Sequence, residues 1–290
     1  MEKNILLTII VLFTCTTLFS QEPSRHEVSV WGMGGLSTLK YSLDIGSQKD
    51  KVGGGAGIGY TYLFSEKVGV SSGFEFALYN AQACLNSAVS SYMTKDMEDT
   101  NFLFKSTVSN YEETQKSTYL QIPVMLTLRF PVGKYHFYTS AGLKVGIPLS
   151  STYKATKGEV TNTGYYGYED FEYQNVEELG FTTLKPKESN GDYDLNIAYI
   201  LSLEAGMKWE LKDNLSLYTG FYFDYGLNDI GKEERSRQFI EYAPMTPWDF
   251  VNNSILTSKF NLDNHNDSFT NKVAPMAAGV KIKLAFRLSK

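Results

Sequence analysis

TYLQIPVMLTLRF, residues 118–130, alternates with a period of two. Leu120, Ile122, Val124, Leu126, Leu128 and Phe130 share one parity; Tyr119, Gln121, Pro123, Met125, Thr127 and Arg129 share the other. A strand sends successive side chains to opposite faces, so one face here is apolar and the other mixed and more polar. A helix would scatter the same residues around its circumference. Pro131-Val132-Gly133-Lys134 then supplies a turn, and YHFYTSAGLKVGIPL, residues 135–149, alternates again. Tyr135, Phe137, Ala141, Leu143, Val145 and Ile147 oppose His136, Tyr138, Ser140, Gly142, Lys144 and Gly146.

The same pattern recurs outward in both directions. Residues 53–64, 68–79, 195–211, 214–226 and 273–288 repeat it. Residues 28–40 carry it with ambiguous parity, Trp31 and Met33 opposing Val28 and Val30. These are eight candidate strands of about ten residues or more, long enough to cross a bilayer when tilted. The connections alternate in length, short at 65–67, 131–134 and 212–213, long at about 41–51, 80–115, 152–193 and 229–271. Eight strands enclose little space, so the large apolar face must point outward into hydrocarbon while Gly, Ser, Gln and charges fill the lumen. A lipocalin-like soluble barrel would need that greasy face inside. The expected fold is therefore all-β, a single antiparallel up-and-down transmembrane β-barrel of about eight strands, with short periplasmic turns and long extracellular loops. Tyr60, Tyr62, Phe64, Phe130, Tyr135, Phe137, Trp209 and Phe286 are expected to form an aromatic girdle at the periplasmic rim.

Composition agrees with that reading. Tyr (20), Phe (18) and Gly (24) are abundant in the 290 residues and Pro (8) is scarce. The formal charge of −5 speaks against nucleic acid as a partner. The apolar run ILLTIIVLFTCTTLF, residues 5–19, is short for a membrane helix and reads as the core of a signal peptide. Cleavage after Ser20 would leave 21–290 as one outer-membrane barrel domain with a single cysteine, Cys84, and no internal disulfide.

The inward parity carries charge. Counted from the short turns, Glu75, Lys144, Glu204, Asp224 and Lys281 fall at one mid-barrel depth, and Arg129, Lys208, Glu210 and Arg287 lie lower. Buried charges persist when paired, so Glu75, Arg129, Lys144, Glu204, Lys208, Asp224, Lys281 and Arg287 are expected to form a structural ion-pair network across the lumen. The functional alternative is a gated path for small solutes.

No catalytic, cofactor-binding or metal constellation stands out, and no cofactor is expected. The glycines of 53–59 resemble a phosphate loop, but aromatic alternation follows where a helix would be required. His26 and His136 fall at the short-turn end, and His265 lies in Asp263-Asn264-His265-Asn266-Asp267, which reads as a solvated loop or, alternatively, a hydrolase or acyltransferase site. The long connections are rich in Tyr and acid (Tyr165, Tyr166, Tyr168, Glu169, Asp170), with Arg235, Arg237, Tyr242 and Trp248 in the last. Such stretches suit either recognition of an extracellular ligand or protein, or strands continued beyond the membrane.

The stretch 118–130 with its following turn and strand resembles the small outer-membrane β-barrels of Bacteroidetes, the porin-family, PorT-like or OmpX/OmpA-like barrels. Their middle strand carries a YLxIPLLLK-like stretch, matched here by Tyr119, Leu120, Ile122, Pro123, Val124, Met125 and Leu126. The resemblance implies an outer-membrane location, outer-membrane lipid as the surrounding partner and no enzymatic activity. The chain departs from it in its longer loops and in ending Phe286-Arg-Leu-Ser-Lys290 where a terminal aromatic is usual. The expected role is a scaffold presenting extracellular loops, with a narrow porin-like channel as the alternative.

Overall fold

The computed structural model describes residues 25–132, 135–185, 190–212, 214–232, 235–247, 251–262 and 265–288. The expected signal segment 1–20 lies outside them, as do Trp248, Asp263 and Asn264.

Eight long strands form the frame: β1 (His26–Leu43), β2 (Val52–Leu63), β3 (Val68–Lys95), β4 (Asn101–Val132), β5 (Tyr135–Tyr166), β6 (Ala198–Lys212), β7 (Leu215–Gly226) and β8 (Thr270–Arg287). Each pairs antiparallel with the next in sequence, and β8 pairs back onto β1, so the ring is closed and no barrel edge is left open. Among the described residues the one helical element is a single 3-10 turn, Glu177–Leu179, and no helix is long and apolar enough to cross a membrane.

The apolar parity faces outward. Ile58, Phe74, Phe76, Val124, Leu126, Leu143, Leu203, Phe221, Val280 and Ile282 are all exposed on the ring's outer surface. Phe64, Phe130, Phe137, Trp209 and Phe286 close this band at the short-turn end, and Tyr60 there meets the His26 ring through its hydroxyl. The Tyr135 side chain of the expected girdle lies outside the described residues.

In β1 the ambiguous parity is settled: Val28 and Val30 are exposed, while Glu27, Ser29 and Trp31 are buried in the lumen. The glycine run of β2 makes room for that indole. A Cβ on Gly57 would come within 2.5 Å of the Trp31 ring, and one on Gly59 within 2.8 Å.

Two expected loops are corrected. Residues 80–115 and 152–193 do not leave the sheet at the end of the apolar band. β3 and β4 continue as a paired ribbon to a turn at Asp96–Thr100, and β5 rises beside them to Tyr166. Short strands Ser47–Asp50, Phe171–Tyr173, Thr183–Leu184 and Asn190–Asp192 flank this extension. At about 3.3 Å per residue, Asn101–Thr118 alone adds about 60 Å of strand above the band. We call this part the crown.

The crown turns the pattern inside out. Its outer face carries Asn80, Gln82, Thr114, Lys116 and Lys154, whereas Leu85, Phe102, Phe104, Tyr111 and Val160 are buried within. The buried parity also slips along each strand. In β4 it changes from Tyr111, Glu113 and Gln115 to Phe102, Phe104, Ser106 and Val108, with Asn110 at φ 50 between them. β3 changes between Leu85 and Ala88, and β5 between Ala155 and Val160 around Gly158 at φ 144. One extra residue flips every later side chain to the other face, which is why a strict period of two ends here.

Candidate functional site

The lumen of the banded part is built from charge in two layers. In the upper layer Glu75 of β3 is fully buried and accepts from Lys144 Nζ of β5 at 2.7 Å and from Trp31 Nε1 of β1 at 2.7 Å. Lys144 also reaches Asp224 Oδ2 of β7 at 2.8 Å. Lys281 of β8 donates to Glu204 of β6 at 2.5 Å, lies 3.7 Å from Glu75 and sits 4.6 Å over the Trp31 ring. The result is an unbroken alternation, Asp224–Lys144–Glu75–Lys281–Glu204, drawn from five strands. Charges removed from water cost several kcal/mol each, and contact of every charge with its opposite offsets part of that cost.

The lower layer lies toward the short turns. Arg129 NH2 spans both oxygens of Glu27 at 3.1 Å each, and the Tyr218 hydroxyl donates to the same carboxylate at 3.3 Å. Lys283 stands 4.5 Å over the Tyr218 ring and 5.7 Å over Tyr138, whose ring meets Tyr218 edge-on. Between the layers lies a cavity of about 20 Å³ lined by Trp31, Met125, Ser140, Glu204, Lys281 and Lys283, room for about one water.

Six of the residues singled out in the sequence, Glu75, Arg129, Lys144, Glu204, Asp224 and Lys281, are therefore placed in these layers. Lys208 instead pairs along its own strand with Glu210 at 2.9 Å. Arg287 is half-buried near the end of β8 and forms no ion pair among the described residues. Glu27 and Trp31 were not singled out, because the parity of β1 is unclear in the sequence. Lys283, on the parity of Lys281, could have been found by carrying the alternation one step further.

The crown is filled by the chain between β7 and β8. Phe239, Ile240, Ile255, Leu256, Phe260 and Phe269 from this segment are at most 4% exposed and pack against crown residues. The segment is pinned by Glu113 of β4, a fully buried carboxyl with no cation paired to it among the described residues. Its oxygens accept from Ser254 Oγ at 2.6 Å, Tyr111 OH at 2.8 Å, Gln115 Nε2 at 2.9 Å and the Ile255 N–H at 3.2 Å. Burial pushes the Glu113 carboxyl above the ordinary carboxylate range, and the four donors offset that only in part. Asn252 donates to Tyr111 at 2.9 Å, and Tyr153 donates to the Asn252 carbonyl at 2.5 Å, so strands and plug share one hydrogen-bond network.

An open polar recess of about 650 Å³ lies where the plug leaves the barrel, lined by Asn196, Asp229, Lys232, Arg235, Asp267 and Ser268. Its cations are committed, Arg235 to Asp229 at 2.7 Å and Lys232 to Asp194 at 2.8 Å. Among the described residues no cluster of His, Cys, Asp and Glu is arranged to hold a metal ion. The backbone of His265 pairs with Leu262 in a short hairpin; its side chain lies outside the described residues.

Residues 19–232 match the family described as outer membrane protein beta-barrel domain. The chain belongs to this family. It is an outer-membrane protein; such barrels keep short turns on the periplasmic side and long connections outside, the rule that assigns the short turns here to the periplasm and the crown to the exterior. The matched span stops before β8, whose pairing with β1 and β7 closes the ring of this outer-membrane barrel. Among solved structures it is similar to Neisserial surface protein A, at 10% identity and TM-score 0.38, over 92% of this chain and 100% of that one. OprG from Pseudomonas aeruginosa is similar at 12% identity and TM-score 0.37, over 92% and 98%. Ail of Yersinia pestis, solved with the heparin analogue sucrose octasulfate, is similar at 11% identity and TM-score 0.28, over 90% and 99%. No curated protein sequence matches the chain.

Proposed function

We propose that the barrel is a closed, non-enzymatic scaffold that carries the crown above the outer membrane as an interaction surface. The observation that supports this most directly is closure at two levels. The charge alternation crosses the lumen within the apolar band, and the segment between β7 and β8 fills the crown above it. In this reading the lumen charges are structural, tying five strands together, and no solute path is open. The stretch 118–130 supports placing the chain among the small Bacteroidetes barrels of the PorT-like kind.

Reconstitution in planar bilayers tests the reading. The scaffold leaves membrane current at the level of lipid alone. Stepwise conductance would instead favour the narrow solute channel. Loss of a lipid- or peptide-cleaving activity on His265→Ala would favour the hydrolase alternative.

A further inference from the structure

The crown ends in an exposed surface that the membrane does not explain. On its outer face Met93, Leu103 and Tyr165 are direct cross-strand neighbours, with Met93 64% and Tyr165 36% exposed. Met97 in the adjoining turn is 63% exposed, and Tyr168 in the turn after β5 and Phe171 in the short strand that follows it are 70% and 55% exposed. The polar outer surface of Asn80, Gln82, Thr114 and Lys116 separates these side chains from the lipid-facing band. Apolar groups this far from hydrocarbon mark a contact surface, and Tyr, Phe and Met are the residues such surfaces favour.

The charge around this patch is one-sided. Residues 93–105 and 163–180 hold eight carboxylates against two lysines, in a chain whose formal charge is −5. Lys95 is already paired with Asp99 at 2.7 Å. The negative excess of the protein is thus concentrated at its outermost point.

The patch is also braced from beneath by ring contacts and hydrogen bonds. Phe102 stacks on Tyr166 with centroids 5.1 Å apart, and Tyr166 packs edge-on against Tyr168 and Tyr173. Asp96 accepts from the N–H groups of Glu98 and Thr100 at 2.9 Å and from the Tyr166 hydroxyl at 3.0 Å. A surface fixed in advance loses little entropy when a partner docks.

Resting on the scaffold reading, we propose that this tip docks a cationic, amphipathic polypeptide segment. Its Lys or Arg side chains meet the carboxylates and lie over Tyr168, Tyr165 and Phe171, and its apolar side chains cover Met93 and Met97. Anionic partners such as nucleic acid or sulfated sugar are repelled by the same field.

The test uses the full-length protein in phosphatidylcholine nanodiscs and a fluorescent peptide alternating arginine and leucine, with a glutamate–leucine peptide as control. The proposal expects saturable binding of the first peptide and not the second, weakened by salt. Tyr168→Ser with Phe171→Ser, and separately Glu98→Gln with Glu177→Gln and Glu178→Gln, each raise Kd about tenfold or more. These side chains are exposed, and heat-modifiable migration on gels checks that the variants remain folded. Equal binding of both peptides, preference for the anionic one, no binding, or binding that neither variant alters overturns the proposal. Bilayer conductance of the same preparation keeps the two readings apart: a silent barrel that does not bind defeats the tip alone, and a conducting barrel that binds defeats the closed scaffold alone.

Discussion

Within the membrane and above it, the same strands solve opposite problems. Along β4, Leu120 to Phe130 turns its apolar side chains outward, and Arg129 and Gln121 point into the lumen. Further along the same strand Lys116 and Thr114 point outward, and Phe102, Phe104 and Tyr111 are buried inside. The solvent decides. Where lipid surrounds the ring, the hydrophobic face gains by leaving the interior, and what remains inside must pair by charge and hydrogen bond. Where water surrounds it, the ordinary rule returns and a greasy core forms, for which the β7–β8 segment supplies the missing half.

The two regions should therefore fail differently. Lys144→Met leaves the Glu75 and Asp224 carboxylates buried without their shared cation. Loss of one partner from a buried pair costs about 3–5 kcal/mol, so the urea midpoint of the whole barrel in vesicles falls sharply. A midpoint unchanged by this substitution would mean that the lumen is hydrated and the alternation idle. Ile255→Ala removes part of the plug's core at about 2–5 kcal/mol, yet the loss is local. Limited proteolysis then cuts within 229–269 while heat-modifiable migration of the barrel is kept; unfolding of the whole barrel would deny that crown and membrane part are separate.

Glu113→Gln comes next, at about 1–3 kcal/mol, because each carboxylate oxygen accepts from two of the four donors, and the pair on the replaced oxygen then faces an amide N–H₂. It also changes the response to pH. A carboxyl held above its usual value in the fold stays protonated there while the unfolded chain ionises near about 4.3. The Glu113 contribution is thus most favourable at low pH and is lost as pH rises from that value through the raised one. Plug protection should weaken over this window in the wild type and lose that slope in Glu113→Gln; identical slopes would contradict the burial argument. The smallest effect belongs to Lys157→Ala, which breaks an exposed pair with Glu112 at 3.1 Å and should shift either midpoint by at most about 1 kcal/mol.

How much was legible follows the same division. The membrane strands read clearly because lipid on one side and charge on the other keep contrast at every second residue. β1 blurred where Gly32, Gly34 and Gly35 carry no side chain to mark a face, and Glu27 and Trp31 were lost with it. The shared depth of Glu75, Lys144, Asp224, Glu204 and Lys281 was countable from the short turns. The crown strands were hidden because parity slips at Asn110 and Gly158 and because Ser and Thr blunt the contrast between faces. The plug has no period at all; its burial depends on contacts made between distant segments, such as Ser254 with Glu113.

A nitroxide scan along β4 tests the inversion most directly. Single cysteines are placed at Leu126, Lys116 and Phe104 in a Cys84→Ser background, in vesicles. The account predicts collisions mainly with oxygen at 126, mainly with a water-soluble nickel complex at 116, and with neither at 104. Nickel access at 126, or oxygen-dominated collisions at 116, would contradict it.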